Sequence, residues 1–324
     1  MTATAVPDLH PGPPAQRRRR PRRSWRHHPA VIMVLSAVVT LLGAFGLQYR
    51  DQITSYVTHL KGSPTNPEPY VPFPADDRPV LRVGVAGDVG DSGSRIDATA
   101  AAMAAIANGD PFDALLLLGD NVYPSGDPAG LAGTVFDPFA AVLDEGAELL
   151  TILGNHDEPN ASGQIDALGM SGRWWSRQLG DVLLIGLDST QTDDPQQVAW
   201  LRATLRDSTA TWRIVAVHHA PFSAGYQGSN EPVRTTFVPV FEQYGVQLVL
   251  SGHDHDYQRS EVINGVTYIV TGAAAGTRRT GEAGFTAVSF SWHSYVELGV
   301  YPDRLVGRVM NQDNRVADEW VLRP

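Results

Sequence analysis

The 324-residue chain contains no cysteine. Disulfides, thiolate nucleophiles and cysteine-ligated zinc are therefore excluded. Basic residues are scarce outside one cluster. Residues 1–30 hold seven arginines (Arg17, Arg18, Arg19, Arg20, Arg22, Arg23 and Arg26) and a single acid, Asp8. The rest of the chain carries 18 basic against 34 acidic residues, a net of −16. Such a body is a poor nucleic-acid binder, because neutralising phosphates needs a basic surface, so no nucleic-acid partner is expected. Long apolar runs are scarce too, and solenoid-type repeats are absent from the sequence.

Among the apolar runs, Val31–Leu47 stands out because it directly follows the arginines. Seventeen helical residues span about 25 Å at ~1.5 Å each, near the minimum for a bilayer crossing. The positive-inside rule then assigns 1–30 as a basic cytoplasmic tail, 31–47 as a transmembrane signal-anchor helix, and the body as extracytoplasmic. Ala44-Phe45-Gly46 is a passable cleavage site, and cleavage would make the protein secreted. Arg22-Arg23-Ser24-Trp25 loosely resembles a twin-arginine export signal. An uncleaved anchor is the favoured expectation. Residues 1–16, rich in Pro and Ala, have little to bury and are expected to be disordered. Residues 48–79 read as a Pro-rich linker, which favours an extended spacer. Residues 80–324 read as one folded domain.

From Val80 the pattern alternates. Apolar runs predict strands at 80–86, 112–118, 148–153, 181–187, 212–217 and 246–250. Helices are predicted at 94–108, 138–143, 195–206 and 233–244. Five short strands follow, at 266–271, 286–290, 295–301, 305–310 and 319–322. Alternation followed by a strand-rich tail predicts an α/β layered sandwich, two mixed sheets with helices outside.

Five of the apolar strands end in polar residues able to bind metal: Asp88, Asp120, Asn155, His218/His219 and His253/His255. Five of the ten histidines lie in these loops. Successive separations of 32, 35, 64 and 34 residues (counted to His219 and His253) let one edge of one sheet present them all. Carboxylate, amide oxygen and imidazole suit zinc, manganese or iron, and ferric iron also takes phenolate, here from Tyr123. Two ions about 3.5–4 Å apart can clamp a phosphate and generate hydroxide at mild pH. Bland readings exist for single residues. Asp88 could cap a helix, Tyr123 could pack at the base of its loop, and the pair Arg278-Arg279 reads as solvated before it reads as a substrate contact. His293 reads as a packed or surface histidine, and His10, His27, His28 and His59 precede the domain.

Taken in order, GDVG, GDNVY, GNHD, HHAP and GHDH resemble the five blocks of the calcineurin-like metallophosphoesterases. The resemblance covers about 80 to 260. GDNVY, GHDHDYQR and the segment Gln197–Leu201 are similar to the purple acid phosphatase branch, tartrate-resistant type. The resemblance implies that Asp88, Tyr123 and His255 bind a first metal, Fe(III). It implies that Asn155, His219 and His253 bind a second, Fe(II), Zn(II) or Mn(II), with Asp120 bridging. It further implies an acid phosphatase-like hydrolysis of phosphate monoesters by in-line attack of a metal-bound hydroxide. His156 would serve as general acid or charge stabiliser, oriented by Asp157. Asn155 and His156 would face the substrate. His218 is expected to support the site and its substrate rather than ligate.

One departure stands out. That branch usually carries a second substrate-facing histidine after the HxP block. Here the loop Phe222–Asn230 has none, and Tyr226 or Asn230 is the candidate substitute. The departure leaves room for a phosphodiesterase acting on cyclic or lipid-derived diesters. A non-catalytic surface-binding module is disfavoured, because no ligand position is missing. The short stretch before Val80 leaves no room for the amino-terminal β-domain of larger members.

Overall fold

The computed structural model describes residues 67–324. The basic tail and the 31–47 segment lie outside the described residues. Among the described residues no helix is long and apolar enough to cross a membrane.

Fourteen strands form two seven-stranded sheets. The first contains β1 (Glu68–Pro69), β2 (Leu81–Ala86), β3 (Ala114–Leu117), β4 (Glu148–Thr151), β12 (Ser294–Val300), β13 (Leu305–Asn311) and β14 (Arg315–Leu322), in the order β1-β14-β13-β12-β2-β3-β4. The second contains β5 (Trp175–Leu179), β6 (Val182–Leu187), β7 (Trp212–Val217), β8 (Leu248–Ser251), β9 (Tyr257–Ser260), β10 (Thr267–Thr271) and β11 (Thr286–Phe290), in the order β11-β9-β10-β8-β7-β6-β5. β2, β3 and β4 run parallel, as do β6, β7, β8 and β10, and the outer strands pair antiparallel. Parallel strands buried on both faces read as continuous apolar runs, which is why Leu115–Leu118 and Val182–Leu187 were legible.

The core lies between the sheets. Val83, Val85 and Leu116 from one sheet meet Leu184, Ile214, Ala216 and Leu250 from the other. Helix α1 (Ser94–Ala107) and helix α2 (Asp137–Asp144) cover the outer face of the first sheet through Ile96, Met103, Phe139 and Val142. Between β4 and β5 runs the short helix α3 (Ala161–Leu168). Helices α4 (Pro195–Asp207) and α5 (Glu231–Gln243) cover the second sheet through Leu201, Leu205, Phe237 and Phe241. Both helices start where a side chain caps the first turn: Asp194 accepts from Gln196 N and Asn230 from Val233 N. The expected four-layer sandwich is thus present.

Two expectations need correction. Residues 67–79 do not form a free spacer. β1 pairs with β14, and Phe73 is buried, edge-on to Tyr301 at 6.0 Å. The prolines suit an extended chain, but Tyr70 and Phe73 anchor it to the sheet edge. The five polar strand ends also do not share one sheet. Those of β2, β3 and β4 belong to the first sheet and those of β7 and β8 to the second. The site is therefore built across the sandwich.

Candidate metal centre

Strands β2, β3 and β8 each end in a residue whose backbone turns sharply. Asp88, Asp120 and His253 have φ of 58°, 51° and 68°, three of the five positive-φ non-glycine residues among those described. Such backbone costs on the order of 1–3 kcal/mol per residue and persists where surrounding structure enforces it. Close approach of the loops requires glycine: a Cβ at Gly154 would collide with the Asp120 carboxylate.

One donor group gathers Asp88, Tyr123 and His255. The Tyr123 hydroxyl donates to Asp88 Oδ1 at 3.2 Å and lies 3.1 Å from His255 Nε2. His255 Nε2 is 3.4 Å from Asp88 Oδ1. Atoms held about 2.1 Å from a common ion sit about 3–3.5 Å from one another, so this triangle fits a shared metal.

A second group includes Asp120. Single donor atoms from Asp120, His218 and His253 lie within 4.8 Å of one another. Asn155 Oδ1 is 3.2 Å from His218 Nε2. The His219 ring centre lies 4.3 Å from that of His253. Ser189 Oγ sits 2.7 Å from His219 Nδ1 and accepts from His219 N at 3.2 Å, which leaves Nε2 as the free donor atom.

Electrostatics suit metal ligation. Burial pushes His219 down to about 3 and His253 down to about 2, with the neighbouring His218 adding to both. Both rings are thus neutral, the form that binds a metal. Burial opposes ionisation of Asp120, but His218 outweighs it and holds the carboxyl below its usual range. Burial works against a charged His218, yet Asp120 outweighs it and lifts the ring to about 10. Burial, then Asp88 and Asp120, raise the Tyr123 phenol above its ordinary value.

His156 stands at the mouth. Its backbone N–H donates to Asp120 Oδ1 at 2.9 Å, its Nδ1 is 2.7 Å from Pro124 O, and its ring meets Tyr123 edge-on at 4.7 Å. Its side chain is 39% exposed and Nε2 faces the Asp120 carboxylate at 4.0 Å. Behind it, the fully buried Asp157 does not reach the His156 ring. Its carboxylate accepts from the N–H groups of Gly154 and Asn121 and from the Asn121 amide, so it clamps two loops together. His218 is also fully buried, with Nδ1 2.8 Å from Leu118 O, so the expected contact with substrate is not available to it. Tyr226 is exposed, and the Arg278 guanidinium lies 5.5 Å from its ring centre. His293 is remote in role, its Nδ1 3.1 Å from Ala273 O.

Sequence reasoning missed Ser189. Its signal was its place just after a buried strand, beside Asp188, in the same position as the other site residues.

A family profile described as calcineurin-like phosphoesterase matches residues 81–257, just over half the chain. The chain belongs to that family. Tartrate-resistant acid phosphatase type 5 of Oryctolagus cuniculus is 29% identical over 195 residues, 49% of this chain and 60% of that relative. This chain thus spans less than two thirds of that relative's length. Two solved structures share the fold: purple acid phosphatase PPD1 from yellow lupin (Lupinus luteus) seeds, and GAP50, the anchor in the inner membrane complex of Plasmodium. The first has a TM-score of 0.63 at 16% identity, covering 79% of this chain and 55% of that one. The second has 0.66 at 15%, covering 75% and 88%.

Proposed function

We propose that this phosphoesterase-family chain is a two-metal enzyme that hydrolyses phosphate monoesters. The observation that carries the reading is the place of Asp120, a buried carboxylate that shares one group of donor atoms with His218 and His253 and helps raise the Tyr123 phenol of the other, each group drawing on both sheets. Asp88, Tyr123 and His255 would hold one ion, for which a phenolate favours Fe(III). Asn155, His219 and His253 would hold the other, Fe(II), Zn(II) or Mn(II), and Asp120 would serve both. The mixed oxygen and nitrogen set fits such ions. Bound ions of this kind supply Lewis acidity at the phosphate and a nucleophile at mild pH.

The chain's own residues do the rest. His156, exposed at the mouth, is placed to meet the leaving-group oxygen, donate a proton to it or stabilise its charge. Asn155 and His156 sit on one tight loop, and Asp157 fixes that loop against Asn121. His218 fills the space behind Asp120 and orients it.

Purified protein is expected to carry two ions per chain and to turn over p-nitrophenyl phosphate. Absence of both metal and turnover overturns the reading. A second reading, a phosphodiesterase on the same scaffold, draws on the loop Phe222–Asn230, which lacks a histidine. Faster turnover of bis-p-nitrophenyl phosphate than of the monoester would select it. The arginine cluster before residues 31–47 supports an extracytoplasmic enzyme held by an uncleaved anchor. A mature amino terminus near Leu47 would show release instead.

A further inference from the structure

Two loops flank the Gly252–Asp256 segment that supplies His253 and His255. In one, Gly225 packs against the Asp254 and Asp256 carboxylates, and Gln227 N donates to Asp254 Oδ1 at 2.7 Å. Ala224 N donates to Gln258 Oε1 at 2.7 Å and Gly225 N to Ser223 Oγ at 3.0 Å. Ser223 Oγ in turn donates to Asp254. The backbone on both sides of Tyr226 is therefore pinned, yet the Tyr226 side chain is left 63% exposed. In the other loop, Arg278 N donates to His255 O at 2.7 Å, and Gly276 packs on the His255 ring. The Arg278 guanidinium reaches back over Tyr226 and makes no ion pair among the described residues.

An exposed aromatic ring on a pinned loop has already lost most of the freedom that binding would cost it. An arginine with no carboxylate partner among the described residues, in a body of net charge −16, is a local inversion of sign. Both stand beside the strand end that carries His253 and His255. We propose that Tyr226 and Arg278 form a subsite for a negatively charged group on the leaving-group side of the substrate. The subsite rests on the hydrolytic reading above and names its substrate class: phosphate esters whose leaving group bears its own anion. Arg278 would pair with that anion through a forked contact. Tyr226 would support the guanidinium through its π-face and the leaving group by contact.

Phenyl phosphate and 3-carboxyphenyl phosphate carry the same scissile bond and differ by one carboxylate. The chain should favour the carboxylated ester in kcat/KM by about fivefold, the scale of an exposed ion pair. Arg278→Ala should bring the ratio of the two esters to about one. Arg278→Lys should keep part of the preference, and raising the salt concentration should weaken it in the parent chain. Equal kcat/KM for the two esters, or a preference that survives Arg278→Ala, overturns the subsite and leaves the hydrolytic reading standing. Turnover of neither ester overturns that reading and the subsite with it.

Discussion

Asp157 accepts both the backbone N–H and the side-chain amide of Asn121, at 3.0–3.1 Å, while fully buried. This pair fastens the loop after β3 to the loop after β4, and so fixes Asp120 relative to Asn155 and His156. Asp157→Ala should cost about 3 kcal/mol, because it strands several buried N–H donors at once. Turnover should fall with the loss of loop register. Urea unfolding and p-nitrophenyl phosphate kinetics check both. Wild-type stability in this variant would remove the clamp.

Ser189 should set metal affinity without touching the metal. Ser189→Ala is expected to weaken binding by about 10–100-fold, the usual cost of losing a ligand's outer partner. Ser189→Thr should restore most of it. Competition titration with a chromogenic chelator reads the effect directly, whatever the activity does.

Tyr123 lies within hydrogen-bond distance of both Asp88 and His255. If ferric iron occupies that triangle, iron-loaded protein should absorb in the visible through phenolate-to-iron charge transfer. Tyr123→Phe should bleach it while circular dichroism stays unchanged. A colourless enzyme active with manganese or zinc would keep the family and discard the ferric assignment.

His156→Ala should keep the metal content of the parent chain and lose about 10²–10⁴-fold in kcat, the range for a positioned acid. Metal analysis beside kinetics separates this from a folding defect.

A chain cut to start at Val80 should be less stable than one starting at Pro67, since it loses β1 and the Phe73–Tyr301 contact. Phe73→Ala in the longer chain should reproduce much of the difference, about 3 kcal/mol. Equal melting temperatures would return residues 67–79 to the role of spacer.

The parts of this fold that were legible are those where a run of residues meets one environment. Leu115–Leu118 is buried on all sides, and its composition says so. The polar residue that ends it was legible for the same reason, because a carboxylate after four leucines needs an explanation. Sheet membership was not legible. β2 lies beside β12, more than 200 residues away, and no local pattern encodes that pairing. The roles of Asp157 and His218 were hidden likewise. Each adjoins a residue that the motifs singled out, but its direction depends on contacts with Asn121 and Leu118, on strand ends remote in sequence. β9 (Tyr257–Ser260) was missed because its polar alternation was read only as a motif. Tyr70 and Phe73 were masked by the prolines around them.

Because Asp120 comes from one sheet and His253 from the other, the distance between the sheets is also the gauge of the site. What sets that distance is the bulk of the side chains packed between them, Ala216 and Leu116 among them. The interior of this protein therefore works as a spacer block for its chemistry. Thickening it by a methyl or two would retune the gap between Asp120 and His253 without altering either residue.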